Sequence, residues 1–83
     1  VEDQVAPQLE HVYGRLRELL GDSLTLTPDT ALVSSGVLDS FHLLEVVEWL
    51  EERYEIVALA SDVNTETLDT PAKIVAYVRS KQA

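Results

Sequence analysis

Apolar residues recur at helical spacing in three stretches of the chain. Val5, Leu9, Val12, Leu16 and Leu20 form the first stripe, flanked by Tyr13 and Leu19. They predict a helix from about Asp3 to Leu20. Pro7 falls within its first turns. Beyond the first turn a proline removes a backbone hydrogen bond, so regular helix is expected to begin near Pro7. Gly21 is a natural C-terminal stop. Leu43, Val46, Val47, Leu50 and Tyr54 form the second stripe and predict a helix over Ser40–Tyr54. Phe41, Glu45, Glu48 and Glu52 project from its opposite side, with Leu44 at the margin. Ile74, Val75 and Val78 mark a last helix, with Tyr77 near their stripe. Thr70 is its expected N-cap and Pro71 its first residue, with fraying expected by Lys81.

The stretches between carry no sustained period. Gly21 to Asp39 contains Thr27-Pro28-Asp29 and Ser34-Ser35-Gly36 and reads as one long loop, or as a loop with a short helical turn inside it. Leu24, Leu26, Leu32 and Val33 are expected to pin it to the core. A loop of this length in so small a domain is often functional. Ile56 to Ala60 is apolar, but a lone strand would have no partner, so an extended connector packed on the core is expected. Asp62 to Leu68 has room for one helical turn. The class is all-α.

The chain has 83 residues, enough for one domain spanning 1–83 with a modest core. Its apolar fraction of 46% is that of a folded protein rather than a disordered one. A net charge of −9 argues against nucleic acid and anionic membranes, both of which reward basic surface. The same charge either serves solubility alone or suits partners with basic patches. No apolar run is long enough to span a membrane, and no signal peptide is visible. With no cysteine, disulfides, thiolate catalysis and cysteine metal sites are excluded.

Most candidate chemistries fail on spacing. Ser40 and His42 are two apart on one helix, so they do not face each other as nucleophile and base. Asp62-Val63-Asn64-Thr65-Glu66 opens like a calcium loop, but Thr67 and Lys73 stand where glycine and a closing acid are required. His11 and His42 have no metal-ligand spacing, so no metal is expected. Trp49, Tyr13, Tyr54 and Tyr77 read as packing residues at the edge of the core. What survives is Asp39-Ser40-Phe41. It places a serine at a helix start, where free N–H groups and the helix dipole favour an attached anion. The acidic face with Phe41 as an apolar anchor has the composition of a protein-binding patch, unless the preceding loop covers Phe41.

Gly36-Val37-Leu38-Asp39-Ser40-Phe41, followed by an acidic helix ending Leu50-Glu51-Glu52-Arg53-Tyr54, resembles the acyl and peptidyl carrier proteins. The likeness extends over the long loop, the short third helix and the Leu68-Asp69-Thr70-Pro71 entry to the last helix. It implies a four-helix carrier bundle with a short third helix and a long loop between the first two. It implies a 4'-phosphopantetheine arm on Ser40, transferred from coenzyme A by a phosphopantetheinyl transferase, and an acyl or aminoacyl thioester on the arm's thiol. Asp39 matches the family's aspartate and would cap the helix or be recognised by the transferase. Phe41, Leu44, Glu45, Glu48 and Glu52 fall where the family docks its partners. The implied protein is a cytoplasmic monomer and not an enzyme. It would be served by an activating ligase (an adenylation enzyme) and by downstream tailoring or condensing enzymes. Phenylalanine after the serine looks like the stand-alone aminoacyl carriers, of D-alanyl or natural-product peptidyl type. Two departures, His42 and Leu68, leave the cargo class open. The rival reading is a small acidic helical adaptor that binds a basic partner through the Phe41 face and is never modified.

Overall fold

The computed structural model describes residues 6–82, and among these every regular element is helical. The chain forms α1 (Leu9–Leu20), α2 (Ser40–Tyr54), α3 (Thr65–Leu68) and α4 (Pro71–Gln82). A single 3₁₀ turn, Ala60–Asp62, precedes α3. Helix α1 packs on both α2 and α4, and α3 lies against α4. This is the expected four-helix arrangement, with its short third helix and long first loop.

The first helix starts later than its apolar stripe suggests. Asp3 and Val5 lie outside the described residues. Residues 6–8 are not helical, and Gln8 is extended (φ −135°, ψ 146°) as the N-cap. Proline disfavours helical geometry in the residue before it, and Pro7 is itself buried rather than placed at the first helical position. The Gln8 carbonyl opens the ladder by accepting from the His11 and Val12 N–H groups at 3.1 and 3.3 Å. At the other end Gly21 adopts φ 105° and donates to the Arg17 carbonyl at 2.8 Å, the expected stop. The last helix meets its expected start, since Thr70 Oγ1 accepts from the Lys73 N–H at 3.1 Å. It does not fray by Lys81. Helix α4 continues to Gln82 because Lys81 Nζ pairs with Asp62 Oδ2 at 2.9 Å and lies 5.8 Å above the Tyr77 ring.

All the stripe residues of α2 are buried, together with Val12 and Leu16 of α1 and Ile74, Val75 and Val78 of α4. Tyr77 is also buried, and its hydroxyl donates to Asp62 Oδ2 at 2.9 Å. Tyr54 is fully enclosed, with its hydroxyl 3.2 Å from His11 Nδ1, and burial raises its pKa. Trp49 meets the Tyr54 ring edge-on at 5.7 Å and packs against the core, as expected for an edge residue.

The long loop contains turns but no helix. Leu32 and Leu38 are fully buried, and Leu26 and Val33 pack against the core; Leu24 does not join it. Asp69, between α3 and α4, gathers the loop's backbone. Its Oδ1 accepts from the N–H groups of Leu32, Val33 and Ser34 at 3.2, 2.9 and 2.9 Å. Its Oδ2 accepts from the Ser34 hydroxyl at 3.0 Å, and its carbonyl from the Leu32 N–H at 2.7 Å. Pro28 adds a further tie, its carbonyl accepting from the Ala72 N–H at 3.0 Å. The connector after α2 corrects a simpler expectation. Ile56 is buried and Ala58 packs on the core, but Val57 and Leu59 face solvent. Extended backbone sends successive side chains to opposite sides, so only half of this run can pack inward.

Two outcomes test this architecture. Leu32→Ala is expected to cost about 2–5 kcal/mol in urea denaturation, as for a helix core position, because the loop residue is enclosed to the same degree. A loss below about 0.5 kcal/mol would show the loop to be peripheral. Asp69 offers a pH test. Hydrogen bonds from Ser34, Val33 and Leu32 hold its carboxyl below the ordinary 3.8. A carboxyl with a lowered folded pKa contributes stability above its unfolded value and loses it as pH falls through the folded one. The Val33 and Ser34 amide proton shifts should therefore titrate together, with a midpoint below 3.8. Val33 and Ser34 amide shifts that do not follow the Asp69 titration would mean that the clamp is not formed in solution.

Candidate functional site

The site forms where the long loop hands over to α2. Gly36 turns the chain with φ 83°, a conformation that side chains rarely adopt, and its N–H donates to the Val33 carbonyl at 3.1 Å. Leu38 is buried, and its N–H donates to the Leu32 carbonyl at 2.8 Å. The residue before Asp39 is therefore fixed both by packing and by the backbone of the clamped loop.

Asp39 is the N-cap of α2, extended at φ −81° and ψ 178°. Its Oδ1 accepts from the His42 N–H at 2.8 Å, and its carbonyl from the Leu43 N–H at 2.9 Å. The cap expected of Asp39 is thus present. The His42 N–H, followed by the His42 ring, holds the Asp39 carboxyl below the ordinary aspartate range. The ring contact is direct, with His42 Nδ1 3.0 Å from Asp39 Oδ1.

Ser40 is the first residue of α2 and is exposed. Its hydroxyl forms no hydrogen bond to another described residue. The first turn of α2 holds no acidic residue. These features fit a covalently attached anionic group: an accessible hydroxyl, a rigid helix start and the positive end of the helix dipole.

Phe41 is 68% exposed and Leu44 55% exposed, so the loop does not cover them. Phe41 touches only its neighbour in the ring contacts, meeting His42 edge-on at 5.7 Å. Glu45, Glu48 and Glu52 line a shallow groove with Trp49, Glu51 and Arg15 of α1. The arrangement brings together Phe41, Leu44 and the three glutamates on the outward side of α2. It also adds residues that sequence reasoning missed. Arg15 puts a positive charge beside the acidic face; its Nη1 pairs with Glu18 at 3.3 Å, and its buried Nε has no hydrogen-bond partner among the described residues. Val57 and Leu59 add two exposed apolar side chains after α2, a pattern readable from strict alternation in an extended run.

At the two cation sites that spacing argued against, the candidate ligands are engaged within the protein. Asp62 is occupied by the Tyr77 hydroxyl and the Lys81 ammonium, donors that would compete with a cation. His11 is engaged with Tyr54, and His42 with Asp39. Among the described residues no three His, Asp or Glu side chains gather as a metal site. No described helix is long and apolar enough to cross a membrane.

The family model "Phosphopantetheine attachment site" matches residues 10–78. The D-alanyl carrier protein of Lactobacillus acidophilus is 35% identical over 65 residues, covering 78% of this chain and 82% of its own. That of Abiotrophia defectiva is 32% identical over 75 residues, covering 89% and 95%. The lincomycin biosynthesis protein LmbN of Streptomyces lincolnensis is 40% identical over 72 residues, covering 84% of this chain but 26% of LmbN. No solved structure gives a significant match. A family model matched over most of the chain, on a helical bundle with an open serine at the start of α2, shows that the protein belongs to the phosphopantetheine-attachment family and is a carrier whose prosthetic group is 4'-phosphopantetheine.

Proposed function

We propose that the arm is attached at Ser40 and that the cargo is an aminoacyl group. The observation that carries the attachment is the exposed, unbonded hydroxyl of Ser40 on the first residue of a capped helix. When bound, the group supplies a terminal thiol that holds cargo as a thioester, chemistry that a chain without cysteine cannot supply itself. Ser40 anchors it, and the Asp39 cap keeps the anchor at a rigid position. Likeness to several D-alanyl carrier proteins, which match along most of their own length, supports an amino acid rather than a fatty acyl group. The domain is 1–83, acting as a monomer in the cytoplasm, and it presents its cargo rather than transforming it.

Partners read the outward side of α2. Phe41 and Leu44 offer apolar anchors, and Glu45, Glu48 and Glu52 offer charge to a basic rim. Exposed aromatic anchors supply affinity, whereas acidic charge raises encounter rates and makes them salt-sensitive. The partners are a phosphopantetheinyl transferase, an aminoacyl-activating ligase and downstream enzymes that take the cargo. Each must release the carrier, so a small, mostly electrostatic contact suits the work.

Two experiments test the proposal. Incubated with coenzyme A and a broad-specificity transferase, the chain should gain one phosphopantetheine by intact mass, and Ser40→Ala should gain none. An unmodified wild-type chain, under conditions that load a control carrier, would overturn the attachment and favour an unmodified adaptor. With its arm in place, the Glu45→Lys, Glu48→Lys double variant should be charged by its ligase roughly tenfold more slowly at low salt, with an unchanged melting temperature. Equal charging rates would reduce the acidic face to a solvated surface.

A further inference from the structure

His42 holds Asp39 with more than its backbone. Any residue at this position would offer its N–H to the cap. Only a side chain with a donor at the right place could add a second bond to the same oxygen, and His42 does so, with Nδ1 3.0 Å from Asp39 Oδ1. An ionised carboxylate only accepts, so the proton of this contact resides on Nδ1. The ring is held from a second side by its edge contact with Phe41 at 5.7 Å, and about a third of its side chain remains exposed. Both His42 donors converge on Oδ1, and the Phe41 N–H helps to hold the same carboxylate. The carboxylate is therefore held in one orientation beside the open Ser40 hydroxyl.

We infer that His42 is a positioning residue for the loading of Ser40, acting through Asp39, and this rests on the attachment proposed above. In loading, the Ser40 oxygen forms a bond to the pantetheine-bearing phosphorus of coenzyme A. The bond from that phosphorus to adenosine 3',5'-bisphosphate breaks, and the serine proton passes to a base of the transferase. An anionic phosphoryl group is thereby brought next to the Asp39 carboxylate. A carboxylate held only by the backbone cap could swing towards the Ser40 hydroxyl or the incoming phosphate. The imidazole adds a side-chain donor to the backbone cap on Oδ1, so the carboxylate is held more firmly and part of its charge is offset. Misplacement near reacting groups lowers rate more than binding.

The test uses apo protein, coenzyme A and a broad-specificity transferase, with the initial rate of loading followed by intact mass. His42→Ala should lower kcat at least about threefold, with KM for the carrier within about twofold of wild type. Asparagine places its amide nitrogen where the Nδ1 atom lies, whereas glutamine places its own near Nε2. His42→Asn should therefore restore most of the loss and His42→Gln little of it. Carbon-13 NMR supplies a readout independent of activity: the Asp39 carboxyl titration should move upward in His42→Ala and return towards wild type in His42→Asn. Far-UV circular dichroism checks that α2 is intact in each variant. Failure to load wild type would remove both proposals. A loadable wild type with His42→Ala equally fast, a loss confined to KM, or glutamine as effective as asparagine would overturn this one alone.

Discussion

The Asp69 carboxylate is the constraint on which the site depends. A long loop with no helix of its own must find partners for its backbone, because buried unpaired N–H groups are costly. Asp69 supplies them to three consecutive residues, Leu32, Val33 and Ser34, from a fixed point between two helices. The path from there to the serine is short. The Leu32 carbonyl receives the Leu38 N–H, Leu38 is buried, and Asp39 follows as the cap of α2. Position is thereby passed from the α3–α4 junction to Ser40 through covalent and hydrogen-bonded neighbours.

Local pattern was enough for much of the fold. The α2 stripe and the Thr70-Pro71 start were legible because periodicity and capping depend on residues within one or two turns. What escaped depends on pairs far apart in sequence. Asp69 looked like a helix entry residue, yet its partners lie more than thirty residues earlier. Lys81 looked like a fraying end, but Asp62 holds it. Leu38 passed as part of a motif although it is as enclosed as Leu32. The start of α1 was legible within two residues, because Pro7 marked where regular helix could begin, and Pro7 itself lies buried just before it.

The site was more legible than the loop that supports it. Asp39-Ser40-Phe41 carries a cap, an exposed hydroxyl and an exposed ring in three adjacent residues, and each role follows from position relative to the helix start. The acidic face was also legible, since opposition to a core stripe is a property of one helix. Its surroundings were not. That Arg15 stands beside the glutamates depends on how α1 crosses α2, which no single-helix pattern specifies.

With the arm at Ser40, as proposed, rigidity at the anchor and freedom beyond it answer different needs. A serine in a mobile loop would be reachable by a transferase but would spread its arm over many directions. A serine within a helix interior would be held but crowded by the preceding turn. The first helical residue avoids both: its backbone is fixed by the cap and the clamp, while its side chain leaves the helix before any turn can shield it. Phe41 and Leu44 remain exposed for the complementary reason. Five other positions of α2 already fill the core, so apolar groups on the outward side have no interior to enter and stay exposed. The cost of that exposure is a tendency to self-associate, and the glutamates beside the same patch counter it, since two such faces repel each other.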